Sequence, residues 1–438
     1  MTLRRTTQLV VGLVIGLVAA AGCTGGGTDA PTAGPSTAVA GEQVDVVGLW
    51  SGPERDAFAT VTSAWEQDTG AVVSWQGSQD VARGLATRID AGDPPDVAVL
   101  PNPGLLRELA AQGALVPLDE VLDADQVARD YPAAWLDLGT VDGELYGVVV
   151  KATSKATIWY APQVLEAARA TVPVTWDDLL ALADATVADG RTPFSLVAPR
   201  GPGSGWALTD VVAQLVLGAC GPDVYDRWVA AEIPWTDPCV RDAFVRFLAL
   251  ARTPGYVLGG VDGILTTSDA EGVVPVYTDP QAASLYPMAS FAEGFVTAAF
   301  PDLEPGVGYD FFPFPPVDPA LAGATTVGGD LVVVLDDTPA ARSFVTFLVG
   351  APAQEAWVGL GGYTSVNRQV PPDAYDDPVS RALAEDLTGA DVVRFGAGDL
   401  MPAAVQRAWW EGMRALVQDP SGLDALLAAL TATAAAAR

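Results

Sequence analysis

Two lysines four residues apart, Lys151 and Lys155, are the clearest candidates for polar chemistry in this sequence. They stand among small hydroxyl residues, between an aliphatic run at 148–150 and a second apolar run that holds Trp159 and Tyr160. Both apolar runs predict strands, and the polar middle predicts a crossing point between two lobes whose cleft is the functional region. The pattern is equally typical of two core strands joined by a solvated turn.

The residue types present exclude several kinds of chemistry. The 438 residues contain no histidine, which excludes Ser-His-Asp and Cys-His catalysis and the usual His-rich zinc sites. The formal net charge of −31 argues against nucleic acid and against electrostatic binding to anionic lipid, since both need a basic face. We therefore expect no cofactor and no metal. A chain of this length is expected to form two domains.

The first 23 residues resemble a bacterial lipoprotein signal. Arg4 and Arg5 precede an apolar segment from Leu9 to Ala21 that is short for a bilayer span, and Cys23 follows small residues as in a lipobox. A plain secretory signal and an uncleaved anchor are the alternatives. Residues 24–43, rich in Gly, Thr, Pro, Ala and Ser, predict a disordered tether. We expect an exported protein, lipid-anchored through Cys23 to the outer face of the cell membrane.

Three strand–helix units are predicted between residues 44 and 112, and this alternation indicates a mostly parallel sheet. The predicted strands cover 44–50, 71–75 and 97–100. Ser51 and Glu54 fit a capping box at the start of the first helix. Ligands of such sheets bind beyond the carboxyl ends of the strands. Trp50 and Asn102 stand at two of those ends.

The second half of the chain mixes helices with extended segments. A strand is predicted at 191–197, and a glycine-rich loop then leads to a helix that opens with Trp206. The proline-rich segment 309–317 suits an extended stretch that crosses back between the lobes, rather than a central strand. A late helix at 402–417 contains two adjacent tryptophans.

Cys220 and Cys239 form an even pair once Cys23 is assigned to the lipobox. Because export favours oxidation, we predict a disulfide between them. Two buried thiols in neighbouring helices are the alternative.

Seven segments of the chain follow an order and spacing typical of one family. They are GDPPDVAVLPNPG (92–104), YGVVVKATSKATIWYAP (146–162), VTWDDLLALAD (174–184), SFAEGFV (290–296), YDFFPFPPV (309–317), TVGGDLVVVL (326–335) and GGYTSVNRQ (361–369). Behind a lipobox, they resemble the extracellular solute-binding proteins of ABC importers, family 1, in the branch of carbohydrate-binding lipoproteins. The resemblance covers nearly all of the chain after the signal.

The resemblance implies an α/β fold of two lobes, the type II periplasmic-binding-protein fold, with the ligand cleft between lobes that a multi-strand hinge joins. Ligand binding would favour the closed state, which the permease recognises. We expect lobe 1 to comprise 44–150 with about 310–370, and lobe 2 to comprise 151–309 with about 371–438.

The resemblance also implies a substrate-binding site without catalytic residues. Aromatic rings would stack on sugar rings, while carboxylates, amides and lysines would bond the hydroxyls. Trp410 is favoured over Trp409 for the cleft, and Phe291 stands where many relatives carry tryptophan. The candidate residues are Trp206, Asp210, Trp410, Trp409, Trp50, Glu54, Asn102, Phe291, Lys151 and Asp330, with Lys155 beside Lys151 at the crossover.

Most of these residues also have a purely structural explanation. The structural roles are packing for Trp50 and Trp206, helix capping for Glu54, salt bridges or solvation for Lys151 and Lys155, and backbone bonding for Asp330.

The leading hypothesis is a monomeric lipoprotein that captures a carbohydrate, in particular an oligosaccharide, and presents it to ABC permease subunits without an enzymatic step. One alternative keeps the fold but binds a polyamine, a metal chelate or an anion. Another is a surface-anchored glycoside hydrolase, whose chemistry needs only two carboxylates. A structural scaffold without a small ligand is the third.

Overall fold

The computed structural model of the protein describes residues 37–78, 80–198 and 205–437. The predicted signal with Cys23 and most of the loop before Trp206 lie outside the described residues. Within them, Thr37–Val39 forms a 3-10 turn, Val39 is buried, and the Gly41 N–H donates to the Gly70 carbonyl at 2.9 Å. The predicted tether therefore ends before residue 43, because Val39 packs into a core.

Two sheets and one short hairpin organise the described part of the chain. The larger sheet has the order β11–β10–β3–β1–β2, with β6 also paired to β10, and the smaller has the order β8–β7–β9. The strands are β1 (Gln43–Gly48), β2 (Val72–Gly77), β3 (Val97–Leu100), β4 (Thr140–Val141), β5 (Glu144–Leu145), β6 (Val148–Ser154), β7 (Thr157–Tyr160), β8 (Leu285–Pro287), β9 (Asp310–Pro313), β10 (Ala324–Val334) and β11 (Val392–Phe395).

Helices flank both sheets. In sequence order they are α1 (Pro53–Thr69), α2 (Val81–Asp90), α3 (Pro103–Ala111), α4 (Ala124–Asp130), α5 (Ala133–Leu136), α6 (Gln163–Ala168), α7 (Trp176–Ala188), α8 (Trp206–Cys220), α9 (Pro222–Val229), α10 (Pro238–Arg252), α11 (Gly260–Thr266), α12 (Asp269–Gly272), α13 (Val274–Tyr277), α14 (Ala292–Ala299), α15 (Pro339–Val349), α16 (Ala351–Val358), α17 (Pro378–Gly389), α18 (Ala397–Leu400), α19 (Ala403–Gln418) and α20 (Leu423–Ala436).

The first three strands confirm the predicted parallel arrangement. β1 pairs in parallel with both β2 and β3, and a helix follows each of the three strands. The valine-rich β1 and β3 are buried, as expected of parallel strands that are covered on both faces. The carboxyl ends of these strands therefore meet at one edge of the sheet.

Two local predictions are wrong. The N-cap of α1 is Gly52 and no side chain caps this helix, because the Glu54 carboxylate pairs with Lys151 instead of completing a capping box with Ser51. The segment 191–197 is not a strand, since only Phe194 makes isolated bridges, to Val257 and Leu285.

The described residues form three hydrophobic clusters, and the chain passes three times between the two largest, which we call the first and second cores. Ala152 packs in the first core and Ala156 in the second, so the predicted crossover between β6 and β7 is confirmed. The second passage runs from Ala324 to Val327 at the start of β10, and the third runs from Phe395 in β11 to Ala397. We call these three crossing segments (152–156, 324–327 and 395–397) the hinge.

Two segments belong to a different sheet from the one that the predicted lobe boundaries imply. β9 pairs antiparallel with β7, so 309–317 belongs to the second sheet as an edge strand and does not itself cross between the cores. β11 pairs in parallel with β10 and extends the first sheet. The other predicted boundaries of the lobes remain predictions.

A disulfide joins the end of α8 to the start of α10. Cys220 and Cys239 are bonded, with their Cα atoms 6.0 Å apart, which confirms the pairing predicted from the sequence. The bond lies in the second core region, where α8 and α10 pack together.

Candidate functional site

The strand that enters the hinge presents both lysines on one face. Side chains alternate along β6 and its end, with Lys151, Thr153 and Lys155 partly exposed and the residues between them buried. Because a strand advances by roughly 3.3 Å per residue, the Cα atoms of the two lysines lie about 13 Å apart. Gly328 on the neighbouring β10 leaves room for Lys155, whose Cε lies 3.1 Å from the position that a Cβ would occupy.

Lys155 is held by two carboxylates from the second half of the chain. Its Nζ lies 2.5 Å from Asp399 Oδ2 in α18 and 3.4 Å from Asp210 Oδ1 in α8. The Lys155 side chain is 17% exposed and that of Asp210 is 12% exposed. Gln406 donates to the other Asp399 oxygen at 3.4 Å. We call Lys155, Asp210 and Asp399 the Lys155 cluster.

Burial and charge oppose one another in the Lys155 cluster. Burial raises the pKa of Asp210 to about 6, although the lysine beside it acts in the opposite direction. Burial alone would lower the pKa of Lys155, but the two carboxylates raise it above its ordinary value. At neutral pH the Lys155 side chain therefore stays positively charged beside Asp210. The Asp210 Oδ2 atom is buried without a hydrogen-bond partner among the described residues.

An aromatic surface adjoins the Lys155 cluster. The ring of Trp206, at the start of α8, lies 5.8 Å from that of Phe291, and Phe291 lies 5.7 Å from Phe295. Trp206 is partly exposed and Phe291 is 44% exposed, so both rings offer surface to a ligand. Trp206 and Asp210 are one turn apart on α8, which brings a ring and a carboxylate to the same pocket.

Trp410 lies close to the start of the same helix. A Cβ on Gly205 would come within 2.1 Å of the Trp410 carbonyl oxygen, so only glycine allows α8 and α19 to approach this closely. Trp410 is partly exposed. The structure thus brings Trp206, Trp410 and Asp399 into one neighbourhood.

A pocket joins the lysine, the carboxylate and the indole. Its lining includes Lys155, Asp210, Trp206, Gln214, Thr157, Met288 and Phe314. Gln214 is fixed at the hinge, since it donates to the Ala324 carbonyl at 3.1 Å and accepts from the Thr326 N–H at 2.9 Å. The pocket is therefore built partly from the segments that connect the two cores.

A second charged group surrounds Lys151. Lys151 pairs with Glu54 of α1, and directly opposite it on β10 stands Asp330. The Trp50 indole N–H donates to Asp330 Oδ2 at 2.8 Å. Burial raises the pKa of Asp330 to about 6, against the opposing effects of Lys151 and of this hydrogen bond. We call Lys151, Glu54, Asp330 and Trp50 the Lys151 cluster.

Three residues predicted to contact the ligand have structural roles, and two of them, Trp50 and Trp409, are too buried for that contact. Trp50 packs between Trp75 and Trp357, with ring centroids 5.4 and 5.0 Å away, and is almost completely buried. Trp409 is equally buried. It packs against Trp228 and Trp235 at 5.3 and 4.9 Å. Neither ring has a face available for stacking.

Asn102 is the third of these residues. Its Oδ1 accepts the Leu105 N–H at 2.9 Å and so caps α3. A side-chain oxygen at this position satisfies one of the open N–H groups of the helix start. The carboxyl end of β3 thus carries a helix cap, and a ligand contact by the partly exposed Asn102 stays a prediction.

The sequence analysis missed Asp399, Gln214 and Phe295. Asp399 lies in the one-turn helix α18, which begins two residues after β11, and a carboxylate after a strand of the main sheet is the signal that points to it. Gln214 lies one helical turn beyond Asp210, on the same mostly apolar helix. Within the described residues no group of three metal-ligating side chains occurs.

These features define a class of protein: two α/β cores joined by hinge strands, with charged and aromatic side chains gathered in a pocket at the hinge. A family model described as bacterial extracellular solute-binding protein matches residues 51–355. The chain therefore belongs to the extracellular solute-binding proteins of ABC transporters, family 1, and the family and fold predicted from the sequence are confirmed.

Two relatives match most of the chain. The osmoprotective compounds-binding protein GgtB of Synechocystis sp. is 33% identical over 386 residues, which cover 88% of this chain and 91% of that protein. The alpha-glucosides-binding periplasmic protein AglE of Rhizobium meliloti is 33% identical over 396 residues, covering 88% of this chain and 85% of that protein. Both are named as binding proteins.

A solved structure shows the same fold. The bacterial solute receptor AcbH, described as preferring β-D-galactopyranose exclusively, matches with a TM-score of 0.76 at 19% identity. The match covers 90% of this chain and 97% of that one. None of the helices in the described ranges combines the length and apolar character that a membrane span requires.

Proposed function

We propose that this solute-binding protein captures a carbohydrate in the pocket beside Trp206 and presents it to the permease subunits of an ABC importer. The observation that carries the proposal is the buried Asp210 Oδ2, which lacks a hydrogen-bond partner among the described residues and lines a pocket with an indole. A buried carboxylate oxygen is costly without a donor. A sugar hydroxyl supplies such a donor when the ligand enters.

The chemistry of the pocket suits a sugar because it offers both apolar and polar contacts. The rings of Trp206 and Phe291 match the C–H faces of a pyranose, while Asp210 accepts hydroxyl protons. The Lys155 ammonium has three N–H donors, and two carboxylates lie within reach of it. The remaining N–H group donates to a hydroxyl oxygen of the ligand. The name of AglE, an alpha-glucosides-binding protein at 33% identity, supports an α-glucoside as the first ligand to test.

We further propose that the ligand is an oligosaccharide. The Lys151 cluster lies on the same face of the hinge strand, about 13 Å from the Lys155 cluster. A ligand longer than one sugar ring that is held at Trp206 would extend along this face toward Glu54 and Lys151. A monosaccharide would fill only the Lys155 end.

The mature protein is proposed to be a monomer that is anchored through a lipid on Cys23. The sequence before residue 24 supports the anchor, and the acidic composition supports solubility of the body. Mass spectrometry of the membrane fraction tests the anchor. A diacylated N-terminal cysteine is expected, and an unmodified Cys23 would contradict it.

Intrinsic tryptophan fluorescence of the purified protein tests the proposed ligand. The titration uses monosaccharides, α-glucoside disaccharides and longer oligosaccharides, with amino acids and a polyamine as controls. Because Trp206 lines the pocket, a saturable change with one carbohydrate class is expected. A response to the polyamine alone, or no response to any carbohydrate, would remove carbohydrate as the ligand while leaving the family assignment intact.

A further inference from the structure

A second pocket lies at the hinge and is separate from the one beside Trp206. It has a volume of about 200 Å³ and is bordered by Ala156 and Ala324, the residues at which two crossings meet the second core. Gln214 and Phe314 line both pockets and so form the partition between them. The end of α17 closes the far side with Asp386 and Gly389. We call this space the rear pocket.

Asp386 is the chemical centre of the rear pocket. Its Oδ2 atom is buried and has no hydrogen-bond partner among the described residues. Burial raises the pKa of Asp386 to about 6, and no neighbouring charge offsets that effect. A buried carboxylate oxygen without a donor is uncommon in folded proteins and calls for an explanation.

The surroundings of Asp386 favour a positively charged occupant. No lysine or arginine is among the residues that line the pocket, and the acidic Glu385 stands next to Asp386. The whole chain carries a formal net charge of −31, which raises the local concentration of cations. An N⁺–H donor to a carboxylate forms one of the stronger hydrogen bonds available in proteins.

The shape and lining favour an organic cation over a metal ion. Calcium takes six to eight oxygen ligands, whereas the described residues contain no group of three acidic or other metal-ligating side chains. The pocket instead combines the carboxylates of Asp386 and Glu385 with apolar side chains that include Phe314 and Ala156. An aromatic ring also attracts an alkylammonium ion.

We propose that the rear pocket binds a small organic ammonium ion, whose N–H groups donate to Asp386 while its alkyl part lies against Phe314. This site is distinct from the carbohydrate pocket and stands whether or not that pocket takes a sugar. Gln214, which separates the two pockets, is hydrogen-bonded to Ala324 and Thr326 of the hinge. The rear pocket therefore lies where the first and second cores are joined.

Isothermal titration calorimetry on the full chain tests the site with propylammonium chloride as the probe. Propan-1-ol serves as the neutral isostere and potassium chloride as the inorganic cation. Saturable binding of propylammonium alone is expected. Asp386→Asn is expected to weaken it at least tenfold, while Asp376→Asn, a matched change at an exposed aspartate, leaves it within twofold.

A second variant tests the rear pocket without removing a charge. A Cβ at Gly389 would meet no heavy atom within 4 Å, so Gly389→Leu is expected to fold and to fill the rear pocket, abolishing propylammonium binding. The proposal is overturned if propylammonium gives no saturable heat or if Asp386→Asn binds it as tightly as the parent. Equal binding of potassium would also overturn it, because the site would then be one for inorganic cations.

Discussion

The Lys155 and Lys151 clusters stand on one strand face, yet they differ in what surrounds each lysine. Lys155 meets two carboxylates and an aromatic pocket, and Asp210 is only 12% exposed. Lys151 meets Glu54, which is 51% exposed, and Asp330, which already receives the Trp50 N–H. Two lysines at the same strand periodicity thus have different partners. Lys155 neighbours a carboxylate oxygen without a donor among the described residues, whereas the Asp330 Oδ2 opposite Lys151 already accepts a hydrogen bond.

The largest expected difference between the clusters is in stability. Lys155→Met leaves two carboxylates facing each other without a cation and is expected to destabilise the fold by about 3 kcal/mol. Lys151→Met is expected to cost less than about 1 kcal/mol, because Glu54 is solvated and Asp330 keeps its hydrogen bond from Trp50. Urea unfolding followed by circular dichroism measures both. Equal losses would remove the distinction between the clusters.

Ligand affinity is expected to depend strongly on the aromatic ring at the Lys155 end. Trp206→Ala removes the partly exposed indole and is expected to cost about 2 kcal/mol of binding free energy, or roughly 30-fold in Kd for the carbohydrate. Isothermal titration calorimetry gives the value. Trp75→Ala, which removes a partly buried indole near the Lys151 end, is the matched control. A larger loss with Trp75→Ala would place the sugar at the other cluster.

The next largest effect on ligand affinity is expected from Asp210, whose Oδ2 atom has no hydrogen-bond partner among the described residues. Asp210→Asn keeps the shape but weakens the acceptor, and about a tenfold loss of affinity is expected. Asp330→Asn, the equivalent change in the Lys151 cluster, is expected to stay within threefold, since its oxygen is already bonded to Trp50. The same titration compares the two variants. The reverse order of effects would show that Asp330 holds the ligand.

Acid is expected to weaken binding through Asp210. Its pKa is raised from 3.8 to about 6, so lowering the pH from 7.5 to 5 protonates it and affinity falls by roughly threefold to tenfold. The folded protein binds this proton more tightly than the unfolded chain, so the group's contribution to stability rises as the pH falls from about 6 toward 3.8. Protonation of Asp210 therefore does not unfold the protein at pH 5, and a loss of binding there reports on the site. Asp210→Asn should show a flat profile between these pH values, and an unchanged slope would point to another group.

The smallest expected effect lies at the exposed edge of the Lys151 cluster. Glu54→Gln is expected to change stability by less than about 0.5 kcal/mol, because solvent screens the exposed pair. Thermal unfolding measures this change. A loss above about 2 kcal/mol would show that Glu54 supports the hinge itself.

Local patterns in the sequence were enough for the fold but not for the site. Alternating strands and helices, the crossover after Val150, and the Cys220–Cys239 pair depend on neighbouring residues or on simple pairing, and the structure confirms them. Lys155 and Asp399 are 244 positions apart and meet only through tertiary packing, so no spacing predicts their contact.

Aromatic residues were the other source of error. Tryptophan occurs both in cores and in binding clefts. The sequence alone therefore did not show that Trp50 and Trp409 are buried while Trp206 and Trp410 are partly exposed. The role of Gly205 was also not predictable from the sequence. Gly205 lets α8 approach α19, and this requirement is visible only once the two helices are in contact.

A crystal structure of the protein with an α-glucoside oligosaccharide tests the central claim most directly. We expect a sugar hydroxyl within hydrogen-bonding distance of Asp210 Oδ2 and a pyranose ring stacked on Trp206. A ligand held only by Glu54, Lys151 and Asp330, with Asp210 Oδ2 still lacking a partner, would contradict it.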